Sequence, residues 1–119
     1  MAAGLKPNPI LFAKKHIAND GHKCDSLAEK IIDDWFFARG IKHRRNIPYP
    51  GSRSLKADFE VKGFIIEFFG LIGGIKRYDK LVEEKQEICK KHKLNLIKIY
   101  PRDLFPVNHL AEIINTEQL

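Results

Sequence analysis

Apolar and polar positions along this chain follow two periods. In "DSLAEKIIDDWFFARG", Leu27, Ile31, Trp35 and Ala38 recur at helical spacing. Ser26 stands where it can cap that helix, Glu29 falls at the third helical position, and together they predict a capping box. Gly40 is placed to end it. "IKHRRNIPYP" reads as a short strand and "PGSRS" as a loop. "SLKADFEV" and "FIIEFFG" read as two strands around a Lys62-Gly63 turn. After the glycine-rich "GLIGG", a long helix is predicted from about Ile75 to Lys93. "LNLIKIY" then reads as a buried strand that Pro101 stops. "VNHLAEII" closes the chain as a short helix with Pro106 at its first turn. The resulting order, αβββαβ plus a C-terminal helix, predicts an α/β fold. Its mixed four-stranded sheet is a meander completed through a crossover, and it is flanked by helices.

Length and composition bound this picture. At 119 residues and 44% hydrophobic, the chain is expected to form one domain with a real core. Residues 1–20 are read as an N-terminal extension adding a helical turn or two, and 106–119 as the C-terminal helix. No apolar run reaches the ~18 residues of a membrane span, and the N-terminus lacks a signal-peptide pattern, so a cytoplasmic protein is expected. Lysine and arginine number 21 against 15 acids, which points to a polyanionic partner such as nucleic acid or simply to a basic surface. "HKC" and "CKKH" offer His22, Cys24, Cys89 and His92 as a structural zinc set. Their spacing differs from that of a compact zinc finger, and a buried, inert Cys89 is the competing reading.

Asp58 and Glu67 sit in apolar surroundings. Counting outward from a two-residue turn, Val61 meets Phe64, Glu60 meets Ile65, Phe59 meets Ile66 and Asp58 meets Glu67. Opposed carboxylates repel, so the pair needs a cation between them or a raised pKa on one. Such oxygen ligands suit Mg²⁺ or Mn²⁺. A three-residue loop would instead put the two acids on opposite faces. In the long helix, Ile75, Tyr78, Leu81, Val82, Ile88, Cys89 and His92 are expected on one buried face, and Lys85 falls on the same stripe. Its ammonium either snorkels to the edge or faces the carboxylates.

With "IIEFFG", "YDKLVEEKQEIC" and "LIKIYPRDL", these residues resemble the PD-(D/E)XK nuclease superfamily. The likeness is to the branch of very-short-patch-repair-like, helicase-associated and homing-type nuclease domains, over about residues 20 to 105. The resemblance implies a restriction-endonuclease-like core and Mg²⁺-dependent hydrolysis of DNA phosphodiesters. Asp58 matches the metal-binding aspartate, Glu67 the strand glutamate, and Glu29 the helix acid, where capping is the alternative role. Phe69 occupies the motif lysine's position. Lys85 is the candidate for a lysine migrated to the helix, with Lys56 as runner-up. The backbone carbonyl of Phe68 is a further metal ligand on this reading.

"IKHRRN" supplies Lys42, His43, Arg44 and Arg45 on the first strand, and Arg53, Lys56, Lys76 and Arg77 add to the candidate DNA contacts. A solvated basic strand edge is the competing account. The small size favours a homodimer that recognises branched or distorted DNA, as a Holliday-junction resolvase does. A nicking, repair or homing-type enzyme working with a partner, and an inactive nucleic-acid-binding module, are the alternatives.

Overall fold

The computed structural model describes residues 16–52, 54–70 and 76–114, with side chains in the last stretch from residue 79 onward. Contacts divide the chain into two compact units, Met1–Gly40 and Ile41–Leu119.

In the first unit, β1 (His16–Ile17) pairs antiparallel with β2 (Lys23–Cys24). The turn between them is closed by the Ala18 N–H on the His22 carbonyl and the Gly21 N–H on that of Ala18. Helix α1 (Leu27–Ala38) starts as the sequence predicts. Ser26 Oγ accepts the Glu29 N–H at 3.1 Å and donates to Glu29 Oε2 at 3.2 Å. Gly40, at φ +66, terminates it, its N–H bonding the Phe37 carbonyl. The buried stripe differs from the expected one. It runs through Ala28, Ile32, Trp35 and Phe36, while Leu27 is 49% exposed and Ala38 is exposed. A stripe holding Ile32 and Phe36 removes more apolar area from water than one holding Leu27 and Ala38.

The second unit is built on a four-stranded mixed sheet in the order β3 (Arg44–Pro48), β4 (Lys56–Val61), β5 (Phe64–Phe68) and β6 (Asn95–Ile99). The first three form an antiparallel meander, and β5 pairs parallel with β6. Lys62 and Gly63 have φ +49 and +86, the left-handed pair of a type I′ hairpin turn, whose twist matches that of the strands. The turn fixes the register counted from the sequence: Val61 opposite Phe64, Glu60 opposite Ile65, Phe59 opposite Ile66. Strand β3 begins at Arg44, opposite Glu60. Lys42 and His43 therefore precede the strand rather than belonging to it; in this register they fall opposite Lys62 of the turn and Val61, the last residue of β4.

The crossover is helix α2 (Lys76–Lys91). Its buried positions are Val82 and Cys89, with Lys85 and Ile88 half-buried. Leu81 and His92, expected on that stripe, are exposed, since a stripe centred on 82, 85 and 89 turns them toward its edges. Cys89 joins Tyr49, Ala57 and Ile65 in a core cluster completed by Leu55, Ile88, Leu94 and Leu96. After β6 come two short helices, α3 (Pro101–Leu104) and α4 (Leu110–Ile113). Pro101 both stops the strand and opens α3. Pro106 lies between the two helices, and α4 starts later than expected, after Asn108 Oδ1 has accepted the Leu110 N–H. Residues 1–15, 53, 71–75 and 115–119 lie outside the described ones, and with them most of the expected N-terminal helical turns and the expected helix start at Ile75. Among the described residues, no helix is long and apolar enough to cross a membrane.

The turn is open to test. A Cβ on Gly63 would meet nothing within 4 Å, so Gly63→Ala isolates backbone strain and should destabilise the protein by about 1 kcal/mol. Lys62→Asn, which suits the left-handed conformation better, should be neutral or mildly stabilising. Urea unfolding of both variants checks the pair.

Candidate active site

The site begins where the β4–β5 ladder ends. Pairing runs from the turn to Phe59 and Ile66. In the antiparallel alternation, the next N–H of β5 to point at β4 belongs to Phe68. It donates to the side chain of Asp58, at 2.8 Å from Oδ2. The backbone N–H of Asp58 in turn donates to Glu67 Oε1 at 3.1 Å. Two carboxylates thus tie the strands together at the end of the hairpin, Glu67 through the Asp58 N–H and Asp58 through the Phe68 N–H.

Glu67 is only 1% exposed. Burying a carboxylate is expensive unless it is paired and hydrogen-bonded. Here it is both. Lys85 reaches down from α2 to place Nζ 2.7 Å from Glu67 Oε2, and the Tyr49 hydroxyl donates to the same oxygen at 2.6 Å. The ammonium also lies over the Tyr49 ring, 5.6 Å from its centroid. Tyr49 stands just beyond β3, is 2% exposed, and belongs to the core cluster. Burial, then the hydrogen bond to Glu67 and the charge of that carboxylate, push the Tyr49 pKa far above its ordinary value of 10.0. The hydroxyl is therefore a fixed proton donor. Burial likewise pushes the Cys89 thiol up from 9.0, which leaves it an inert core group.

Gly70 stands close to the ring of Phe68: a Cβ there would fall 2.7 Å from its Cε2, so the half-buried ring would have to shift to admit a side chain. Phe69 is 2% exposed and packs against Tyr100 at 6.2 Å between centroids.

The donor set fits a hard divalent ion. Glu67 Oε2 accepts from both Tyr49 and Lys85, whereas Oε1 accepts the Asp58 N–H and keeps a second lone pair. In extended backbone the N–H and C=O of one residue point to the same side, so the Phe68 carbonyl faces the side of Asp58, as its N–H does. Asp58, Glu67 and the Phe68 carbonyl are all oxygen donors, the kind Mg²⁺ and Mn²⁺ prefer.

The other sequence candidates are placed separately. Glu29 belongs to the N-terminal unit, where its side chain accepts from the Ser26 hydroxyl at the helix start. Lys56 is exposed and pairs by register with Pro48. Arg44 forms a two-pronged pair with Glu60, Nε–Oε1 and Nη2–Oε2 both 3.0 Å, which offsets its charge. Arg45 lies over the Phe59 ring at 5.3 Å. His43 holds the Ile41 carbonyl through Nδ1 at 2.9 Å, and Lys42 is exposed. Lys76 and Arg77 lie in the first turn of α2. Arg53 falls outside the described residues.

Three further features escaped the sequence reading. Tyr49 is one, although a tyrosine between two prolines gave no hint of its partner. Lys98 is another: it is exposed and stands in parallel register with Glu67, so the two share a sheet face. The third is in the N-terminal unit, where Asp20, His22 and Asp33 bring their ligand atoms within 4.8 Å of one another, a group that can hold a metal ion. His22 thus belongs with two aspartates and not with the expected cysteines, and the Cys24 thiol contacts the His22 carbonyl at 3.8 Å.

Comparison with protein families, curated proteins and solved structures finds no match to this chain.

The buried pair sets a stability test. Lys85→Met leaves Glu67 without its cation and should destabilise the protein by about 3 kcal/mol. Adding Glu67→Gln to Lys85→Met should recover a large part of that loss in urea unfolding. Tyr49 supplies a pH test. Its folded pKa is raised, so its contribution is complete below pH 10 and is lost as the unfolded chain alone ionises above it. Stability should fall above pH 10 more steeply in the parent than in Tyr49→Phe.

Proposed function

We propose that this chain is a metal-dependent endonuclease that hydrolyses DNA phosphodiesters. The observation that carries the reading is the Lys85 ammonium held 2.7 Å from Glu67, beside Asp58, at the open end of a hairpin. Two carboxylates on adjacent strands can hold a metal ion for phosphoryl hydrolysis, and the following helix supplies a lysine beside them.

Asp58, Glu67 and the Phe68 carbonyl are the residues that would hold Mg²⁺, which supplies Lewis acidity to the phosphoryl oxygen and lowers the pKa of a bound water. Tyr49 fixes the Glu67 carboxylate in one orientation, so that Oε1 keeps its open lone pair toward Asp58. Lys85 has three N–H donors, and Glu67 takes one of them. The others are available to orient the attacking water and to hold the charge that builds on the phosphoryl oxygens. The water oxygen bonds to phosphorus as the bond to the leaving sugar oxygen breaks. A net charge of +6 favours a DNA substrate. The assembly proposed is a homodimer acting on a branched junction, with the exposed Lys42 and Lys56 among the described basic residues that would meet phosphate.

Phe69 favours a second reading, a DNA-binding module without cleavage. It is buried at the position of the superfamily lysine, so activity rests on Lys85 alone. Incubation with a four-way junction, nicked duplex and linear duplex, in Mg²⁺ or in EDTA, separates the two. Mg²⁺-dependent cleavage is expected, reduced by about 10²–10³-fold in Asp58→Ala and Lys85→Ala. Binding without cleavage of any of these substrates would favour the module, and cleavage undiminished in Lys85→Ala would remove the lysine from the mechanism.

A further inference from the structure

The N-terminal unit carries a second polar centre that the proposed nuclease chemistry does not use. Asp33 lies on the buried stripe of α1, four residues after Glu29, and its side chain has no exposed surface. A carboxylate in that position demands a cation. Among the groups facing it is His22, whose Nδ1 is 2.9 Å from Asp33 Oδ2 and 3.0 Å from Asp20 Oδ2. A single ring nitrogen, with at most one proton, thus confronts two anionic oxygens.

The three groups are held by different local structures. Asp20 and His22 belong to the β1–β2 turn, closed by the Ala18 and Gly21 backbone bonds and by the His22 N–H on Asp20 Oδ1 at 3.0 Å. Asp33 comes from a capped helix. Fixed turn and fixed helix bring the three ligand atoms within 4.8 Å of one another. Two ligands each ~2.1 Å from a common ion are roughly 3.0–3.4 Å apart, depending on whether the angle is octahedral or tetrahedral. The nitrogen–oxygen separations, 2.9 and 3.0 Å, fall at or just below the short, octahedral end of that range.

The donor chemistry selects the ion. Mg²⁺ and Ca²⁺ prefer oxygen alone, whereas an imidazole with two carboxylates suits a first-row transition ion. We propose that Asp20, His22 and Asp33 form a Zn²⁺-class metal site that ties the β1–β2 turn to α1. This site is separate in residues and in donor type from the Asp58–Glu67 pair, and it does not depend on the chain being a nuclease. Its role is to hold the unit together. Among its described residues the unit has two two-residue strands and one helix, and a metal crosslink adds to the packing of Ala18, Cys24, Ile32 and Phe36.

The test uses the full chain, stripped with EDTA and dialysed. One equivalent of Zn²⁺ is expected to remain bound after gel filtration and to raise the Tm by about 5–10 °C. Co²⁺ in its place should give visible d–d absorption that excess Mg²⁺ does not displace. Glu67→Gln should keep these signals, whereas His22→Gln and the milder Asp20→Asn should lose them. The wild-type Co²⁺ spectrum needs no variant, so a misfolded His22→Gln does not spoil the test. Absence of retained Zn²⁺ and of Co²⁺ absorption in the wild type would overturn the proposal, as would absorption that survives in both Asp20→Asn and a folded His22→Gln.

Discussion

The buried carboxylate of Glu67 is the constraint around which the second unit is arranged. At 1% exposure it cannot rely on water, and leaving it unpaired would destabilise the fold by several kcal/mol. Each neighbouring element supplies one answer. Helix α2 brings a cation, the end of β3 brings a phenol, and β4 brings a backbone N–H. These demands fix more than the site. They require α2 to cross the sheet with Lys85 facing inward, between the buried Val82 and Cys89. They also require Tyr49 to bury its ring among Ala57, Ile65 and Cys89 so that its hydroxyl reaches the acid. Packing and polarity agree here, as they do when one native arrangement satisfies both.

The fold was legible where short-range chemistry decides it. The capping box at Ser26 and Glu29, the stop at Gly40 and the register across Lys62-Gly63 depend on residues no more than a few positions apart. The stop and the register are found as the sequence implies, and of the capping box the Ser26 cap is found, its Oγ accepting the Glu29 N–H and donating to Glu29 Oε2. Helix faces were less legible. For both helices the reading kept too wide or too early a stripe, taking in Leu27 and Ala38 of α1 and Leu81 and His92 of α2, all exposed. Apolar character alone does not choose between stripes rotated by one residue, because the choice depends on the volume waiting on the other side.

The same rule explains what was seen of the site and what was missed. Lys85 could be singled out because a lysine on a buried stripe is a visible anomaly. Asp33 is the same anomaly on α1, but it shows only once the stripe is placed on Ala28, Ile32 and Phe36. Tyr49 gave no signal at all. Its partner is 18 residues away, on a strand that is not adjacent to its own, and no local pattern encodes such a contact.

The position of the lysine follows from packing around Phe69. The alternation of β5 puts residue 69 on the face that carries Glu67, and the Phe69 N–H still bonds the Ile99 carbonyl, so the strand direction persists to that point. A lysine there would bring its charge near Glu67 from within the sheet. It would also give up the contact of Phe69 with Tyr100 and bury a second flexible stem. Lys85 reaches Glu67 from the helix that covers this face, with its side chain still 19% exposed. An ammonium at that exposure is less desolvated than one on the strand and pairs with the carboxylate at a smaller desolvation penalty. The aromatic residue on the strand and the cation on the helix are thus two parts of one solution. Phe69 fills the core beside the site, and the charge approaches from the side where water still helps to solvate it.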